Sequence, residues 1–233
     1  MRLESRQYLF YAASLLLMAV LSTFLYHQFN RHWVLFRKAE SFFQQQQFGQ
    51  AILFYRASLA KDPNNENAMR HLGDAYLANG DFSEALVLFE EIVQKRLGGP
   101  HALLKLARLY DQFGQVDKAI DLYSRHENLW STNPRTMTHV ADLFRRVGEY
   151  AKAESLYRQA LGLDPNAIDA KLKLAELLSW MKQYDPSIEI YQQILQADPG
   201  NRPARIGLAR VLSWSGRLPE AIEQYQRVLG ETQ

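Results

Sequence analysis

The sequence predicts an all-α solenoid of about six helix pairs, and three columns of residues predict it. Ala51, Ala85, Ala119, Ala153, Ser187 and Ala221 stand 34 residues apart in series. Four residues after each comes an aromatic (Tyr55, Phe89, Tyr123, Tyr157, Tyr191, Tyr225), and twelve before each comes Ala39, Gly73, Ala107, Ala141, Ala175 or Ala209. A fixed period of this length marks units that cannot bury their own apolar face and must stack on neighbours.

A short tail, residues 1–7, precedes an apolar stretch. From Tyr8 to Tyr26 the only polar side chains besides tyrosine are Ser14, Ser22 and Thr23, with no formal charge. Roughly 18 such residues suffice to cross a bilayer, so 8–29 is expected to be a transmembrane signal-anchor helix. A cleaved signal peptide would have a shorter apolar core and a small-x-small site; His27-Gln28-Phe29-Asn30 follows instead. Tyr8, Phe10 and Tyr11 at one end and Tyr26, Phe29 and Trp33 at the other fit two aromatic belts. The flanking charges nearly balance, and an uncleaved anchor places the tail inside. The expected location is single-pass in a bacterial inner membrane, with the repeats in the periplasm. No Gly or Pro lies between Met1 and Phe48, so either one continuous helix over about 7–46 or a bend at Asn30-Arg31 is open.

The repeats are expected over 32–233, at about 32–65, 66–99, 100–133, 134–167, 168–201 and 202–233. Within the second, Ala68, Met69, Leu72, Gly73 and Tyr76 recur at helical spacing, Asn79-Gly80-Asp81 breaks the pattern, and Ala85, Leu88, Phe89 and Ile92 resume it. Two antiparallel helices joined by a tight turn follow, with small residues where backbones approach to about 8 Å. Pro63, Pro165 and Pro199 close units one, four and five, since proline cannot continue a helix. Units two and three carry Leu97 and Ser131 there, with breakers later at Gly98-Gly99-Pro100 and Asn133-Pro134, so those connections should differ in shape. Leu72-Gly73, Tyr76, Ala85, Phe89 and the closing prolines resemble the tetratricopeptide repeat family. The resemblance implies a right-handed α-solenoid that binds protein partners; a binding scaffold leaves the partner unspecified.

With no cysteine there is no disulfide, thiolate metal site or cysteine nucleophile. A formal net charge of +2 with dispersed basic residues does not support nucleic-acid binding. His27, His32, His71, His101, His126 and His139 form no i, i+4 zinc pair. Ser58-Leu59-Ala60-Lys61 matches S-x-x-K but lacks the companion motifs. No catalytic residue, metal or cofactor is expected, and the chain does not read as an enzyme.

The resemblance implies that the first helix of each unit lines a partner groove. Its polar and aromatic members are Arg70, Asp74, Arg108, Asp111, Arg135, Asp142, Arg145, Arg146, Glu176, Trp180, Arg210 and Trp214; Thr138 and Ser179 fall in the same register. Arg135, Arg145 and Arg146 can form a fork for a carboxylate, or simply solvate a helix face. Trp180 and Trp214, each in Leu-Ser-Trp one unit apart, can make a platform for a sugar ring or extended peptide, or plug the gap between the helices of their own unit. The last unit has no polar capping helix, so Ile222, Tyr225, Val228 and Leu229 are expected to be left bare. The leading expectation is a membrane-tethered scaffold of a bacterial envelope complex, in polysaccharide synthesis or export. The alternatives are a carbohydrate-binding module using Trp180 and Trp214, or an assembly factor for cytochrome maturation or pilus biogenesis. The partners so implied are proteins, the bilayer through 8–29, and a polysaccharide.

Overall fold

The computed structural model describes residues 14–23 and 31–230, and among these all regular structure is helical. Residues 14–23 are helical (α1), with Leu15, Leu16, Leu17, Met18, Val20 and Leu21 each more than half exposed. No helix among the described residues is long and apolar enough to cross a membrane. The expected transmembrane helix is therefore not seen as such; the rest of 8–29, and the junction a continuous helix over 7–46 would need, lie outside the described residues.

Helix pairs follow: α2 (Arg31–Gln44) with α3 (Phe48–Leu59), α4 (Glu66–Asn79) with α5 (Phe82–Gln94), α6 (Gly99–Gln112) with α7 (Val116–Arg125), α8 (Pro134–Arg146) with α9 (Tyr150–Leu163), α10 (Ile168–Trp180) with α11 (Tyr184–Ala197), and α12 (Arg202–Trp214) with α13 (Leu218–Gly230). They divide into two compact units, Met1–Leu109 and Tyr110–Gln233, with the boundary inside α6.

In the first unit α2 to α5 pack in succession. Ala51, Ala85, Tyr55 and Phe89 have no exposed surface. Gly73 shows why that column is small: a Cβ there would lie 2.8 Å from the Phe89 ring. Gly80 ends α4 at φ 87°, a left-handed conformation that glycine adopts without steric cost. The Tyr55 hydroxyl donates to Glu40, and His71 Nδ1 lies 2.5 Å from the same Glu40 oxygen, so one carboxylate joins α2, α3 and α4.

In the second unit α7 to α13 pack in succession, and α10 also touches α8 and α12. Ala153, Tyr157, Ala175 and Ser187 are fully buried. The Ser187 hydroxyl donates to the Ala175 carbonyl at 2.7 Å, which explains how a hydroxyl replaces alanine in the small column. The connections after α5 and α7 both differ from the others, as their missing prolines suggest: after α5, Arg96, Gly98 and Gly99 all take positive φ. After α7, a 3₁₀ turn at Glu127–Leu129 seats Trp130 in the core, its indole Nε1 donating to the Tyr123 carbonyl at 2.9 Å. Asn65, Asn133 and Asn201 cap α4, α8 and α12 by accepting from the N–H of Ala68, Thr136 and Ala204.

At α13, Ile222, Tyr225 and Leu229 are exposed, but Val228 is buried, at 6 % exposure. The expectation for Val228 was wrong because it shares the 34-residue column of Ile92, Ala160 and Ile194, all buried. Seven residues beyond Ala221, it continues the stripe that α13 turns toward α12.

Gly73→Ala is expected to destabilise the chain by about 1–3 kcal/mol through overpacking against Phe89. Adding Phe89→Leu should recover part of that loss. Urea unfolding followed by circular dichroism tests the non-additivity.

Candidate partner-binding groove

The first helices of the second unit, α8, α10 and α12, lie beside one another, and their small column Ala141, Ala175 and Ala209 is buried. The residue after each small position is turned one helical step toward solvent, giving Asp142, Glu176 and Arg210. Asp142 accepts from Arg145 Nε at 2.9 Å and Nη2 at 2.6 Å, and the Tyr157 hydroxyl of α9 donates to it at 3.4 Å. The Arg145 guanidinium is held over the Trp180 ring of α10, 4.9 Å from its centroid. The next indole also carries an arginine, here from its own helix. Arg210 lies 3.9 Å from Glu176 and 5.9 Å from the centroid of Trp214.

The tryptophans are 43 % and 47 % exposed, so they do not plug their own helix pairs; each presents an indole with a cation over one face. Burial works against the Arg145 charge, but the Asp142 hydrogen bond and charge outweigh it and raise its pKa. Burial, and then Asp142, push the Tyr157 hydroxyl up. Burial and Glu176 push Tyr191 up to about 12, with Arg210 opposing. Both hydroxyls stay protonated at neutral pH and able to donate.

The three-arginine fork is not assembled. Arg145 is taken by Asp142, and Arg146 pairs with Asp111, which also lies 3.6 Å from His139 Nε2. Arg135 is ten residues back along α8, about 15 Å away, in a separate cleft with Asp164 and Asp169. Thr138 and Ser179 are buried, their hydroxyls donating to the carbonyls of Pro134 and Glu176. In the first unit Arg70 bonds to Asn67 and His71, each at 3.3 Å. Asp74 takes Lys105 at 3.0 Å and His101 at 3.3 Å. Arg108 is exposed on α6. Among the described residues no cluster of three or more His, Asp or Glu is placed to hold a metal ion.

Sequence reasoning passed over His71 and Lys105 as partners of the acidic residues, and the tyrosine hydroxyls as donors. A signal was present: His71, Lys105, His139 and Lys173 form a basic column at the 34-residue period, alongside the acidic Glu40, Asp74, Asp142 and Glu176.

The family model described as "Tetratricopeptide repeat" matches residues 42–96, 76–128, 145–194 and 181–233. Among solved structures, a tetratricopeptide repeat protein from Parabacteroides merdae is similar over 86 % of this chain and 79 % of its own, at 21 % identity and a TM-score of 0.73. The MamA protein is similar over 71 % of this chain and 90 % of its own, at 22 % identity and a TM-score of 0.65. YrrB, described as a tetratricopeptide repeat protein with an unusual peptide-binding site, is similar over 73 % and 88 %, at 16 % identity and a TM-score of 0.66. At these identities the likeness shows the fold. No curated protein matches the chain.

Arg145→Ala should uncover the Trp180 ring, red-shift its emission and raise its quenching by acrylamide. Arg145→Lys should restore part of the protection, since lysine keeps the charge but loses the planar stack. The Trp180 signal is read as the difference from a Trp180→Phe variant.

Proposed function

The chain belongs to the tetratricopeptide repeat family, and from that premise we propose that it is a membrane-tethered scaffold that docks a protein segment along α8, α10 and α12. The observation that carries this reading is the pair of half-exposed, arginine-stacked tryptophans on adjacent first helices. Tryptophan and arginine dominate interface hot spots because they bury large area at low entropic cost and still offer donors. Adjacent packed helices are about 8–10 Å apart, and an extended chain advances about 3.3–3.6 Å per residue. Side chains two or three residues apart in a peptide therefore meet Trp180 and Trp214 in turn. Glu176 and Asp142 beside Arg145 and Arg210 give the face both charges, which favours a peptide backbone with mixed side chains over a purely acidic one. YrrB, of the same fold, has a peptide-binding site.

The tether rests on the uncharged stretch from Tyr8 to Tyr26. With it, the scaffold acts in a bacterial envelope complex, the repeats in the periplasm and the partner a subunit of polysaccharide synthesis or export. A second reading, direct carbohydrate binding, is favoured by the exposed indoles alone; the guanidinium over one face of each leaves only the opposite face for a sugar.

Affinity capture of the full chain from detergent extracts, repeated with Trp180→Ala/Trp214→Ala, is expected to lose its principal protein partner, a cost of about 2 kcal/mol or more per hot-spot side chain. An unchanged partner set would count against the groove. Titration with oligosaccharides should leave tryptophan emission flat; a saturable change would favour the carbohydrate reading. Resistance to alkaline carbonate extraction, and activity of an alkaline phosphatase fused after Gln233, test the tether and its orientation.

A further inference from the structure

On the first unit a cleft of about 480 Å³ opens between α3 and α5 over the floor of α4. This is within the usual range of ligand sites, about 300–1,000 Å³. Leu72 and Tyr76 of α4 and Leu88 of α5 form the floor, Glu84, Val87 and Glu91 of α5 one wall, and Arg56 of α3 the other. Glu84, Val87 and Glu91 are spaced i, i+3, i+7 and all exposed, so they form one stripe along the helix.

The second unit supplies an internal control, because the same cleft recurs there 68 residues later. It is about 360 Å³; Ser124, Phe144, Lys152, Ser155, Leu156 and Gln159 line it at equivalent positions, and Glu127 and Trp130 of the 3₁₀ connection line it as well. Arg56 is replaced by Ser124, Tyr76 by Phe144, Glu84 by Lys152, Val87 by Ser155 and Glu91 by Gln159. In that copy the chain covers its own aromatic floor: Lys152 Nζ sits over the Phe144 ring, 4.5 Å from the centroid. The first unit has an aromatic ring in the same place but a carboxylate where the covering cation would be.

The outward column points the same way. Leu53 and Val87 are 58 % and 66 % exposed, whereas the same column continues as Asp121, Ser155, Glu189 and Glu223. In this column the exposed apolar side chains fall on the first unit, and exposed apolar patches mark interaction surfaces.

We propose that this cleft is a second partner site, which takes a lysine or arginine of a partner helix over the Tyr76 ring and against Glu84. The cation supplied internally by Lys152 in one unit is supplied by the partner in the other. Glu84 and Glu91 are seven residues, about 10 Å, apart on α5. The partner helix therefore carries two basic residues two turns apart, with an aliphatic residue between them on Val87. Glu91 is already paired with Lys95 at 2.7 Å, but an exposed pair of this kind contributes little, so exchanging Lys95 for a partner cation costs little. Arg56 faces Tyr76 from the other wall and leaves the rim with two carboxylates to one guanidinium. Its donors suit a side chain or terminal carbonyl of the partner, and its charge disfavours a partner that is basic all round.

The probe is a capped, fluorescent helical peptide of about 15 residues, the length at which isolated helices become marginally stable. It bears two lysines seven apart with leucine midway; a counterpart carries glutamate in place of lysine. Anisotropy with the full chain is expected to show saturable binding of the lysine peptide and none of the glutamate peptide. Glu84→Lys/Val87→Ser/Glu91→Gln installs side chains already accommodated at the same positions of the second unit, and should weaken binding about tenfold or more, as expected for loss of a charged hot spot. Glu84→Lys alone should reproduce much of the loss, and serves if the triple variant melts early by circular dichroism. Trp180→Ala/Trp214→Ala should leave this binding unchanged, which separates the site from the groove proposed above. Equal binding of the two peptides, no binding of either, or unchanged affinity in the Glu84→Lys variants would overturn the proposal.

Discussion

The close approach of helix backbones at the small columns is the constraint on which the rest depends. Ala51, Ala85, Ala119, Ala153 and Ser187 are completely buried, and an aromatic one turn later fills the wedge beyond each, which helices at about 8–10 Å allow only when the contact residue has almost no side chain. Where that aromatic is tyrosine, its hydroxyl is carried into the core and needs a partner. Tyr55 finds Glu40 and Tyr157 finds Asp142, in each case the residue beside the small position of the paired first helix. In these two pairs the packing of the tyrosine sets where the carboxylate stands. In the second repeat the aromatic is Phe89, with no hydroxyl to satisfy, and Asp74 is turned instead to Lys105 and His101 of the next first helix.

The groove is built from this arrangement. Asp142, fixed from behind by Tyr157, holds the Arg145 guanidinium in the orientation that stacks on Trp180. Residues from α8, α9 and α10 are therefore coupled in one chain of contacts, and the exposed indole is presented by a support rooted in the core. Arginine suits the place because its planar, delocalised cation can donate to a carboxylate through its edge while lying flat on a ring.

Fold and site were legible in the sequence to different depths. The helix pairs follow from columns at a fixed period, because burial selects residue size and size recurs. The departure after α7 was signalled by the missing proline, but Trp130 and its 3₁₀ turn were not, since one buried tryptophan fixes a local path that no period repeats. Val228 was misjudged by treating the last helix as a surface; its column with Ile92 and Ile194 was there to be read. The exposure of Trp180 and Trp214 was not legible, because an indole suits a core as well as a groove, and only the arginine of a neighbouring or preceding turn decides which. Thr138 and Ser179 show the same limit: their register put them in the groove, but a hydroxyl on a helix can turn back to its own carbonyls.

A repeat array also carries its own comparison set. Positions related by 34 or 68 residues face the same packing demands, so a difference between them that packing does not require points to something outside the chain. Phe144 under Lys152 and Tyr76 beside Glu84 satisfy the same helix geometry, yet one ring is covered by a cation of the second helix and the other stands between acid on α5 and Arg56 on α3. Leu53 and Val87 against Asp121 and Ser155 differ in the same sense, at positions where solvent is the only constraint the fold imposes. The lattice columns themselves say nothing of partners, because helix packing accounts for them fully. Specificity is written in the departures between copies, and in this chain those departures concentrate on the α5 wall of the first unit and the tryptophan-bearing helices of the second.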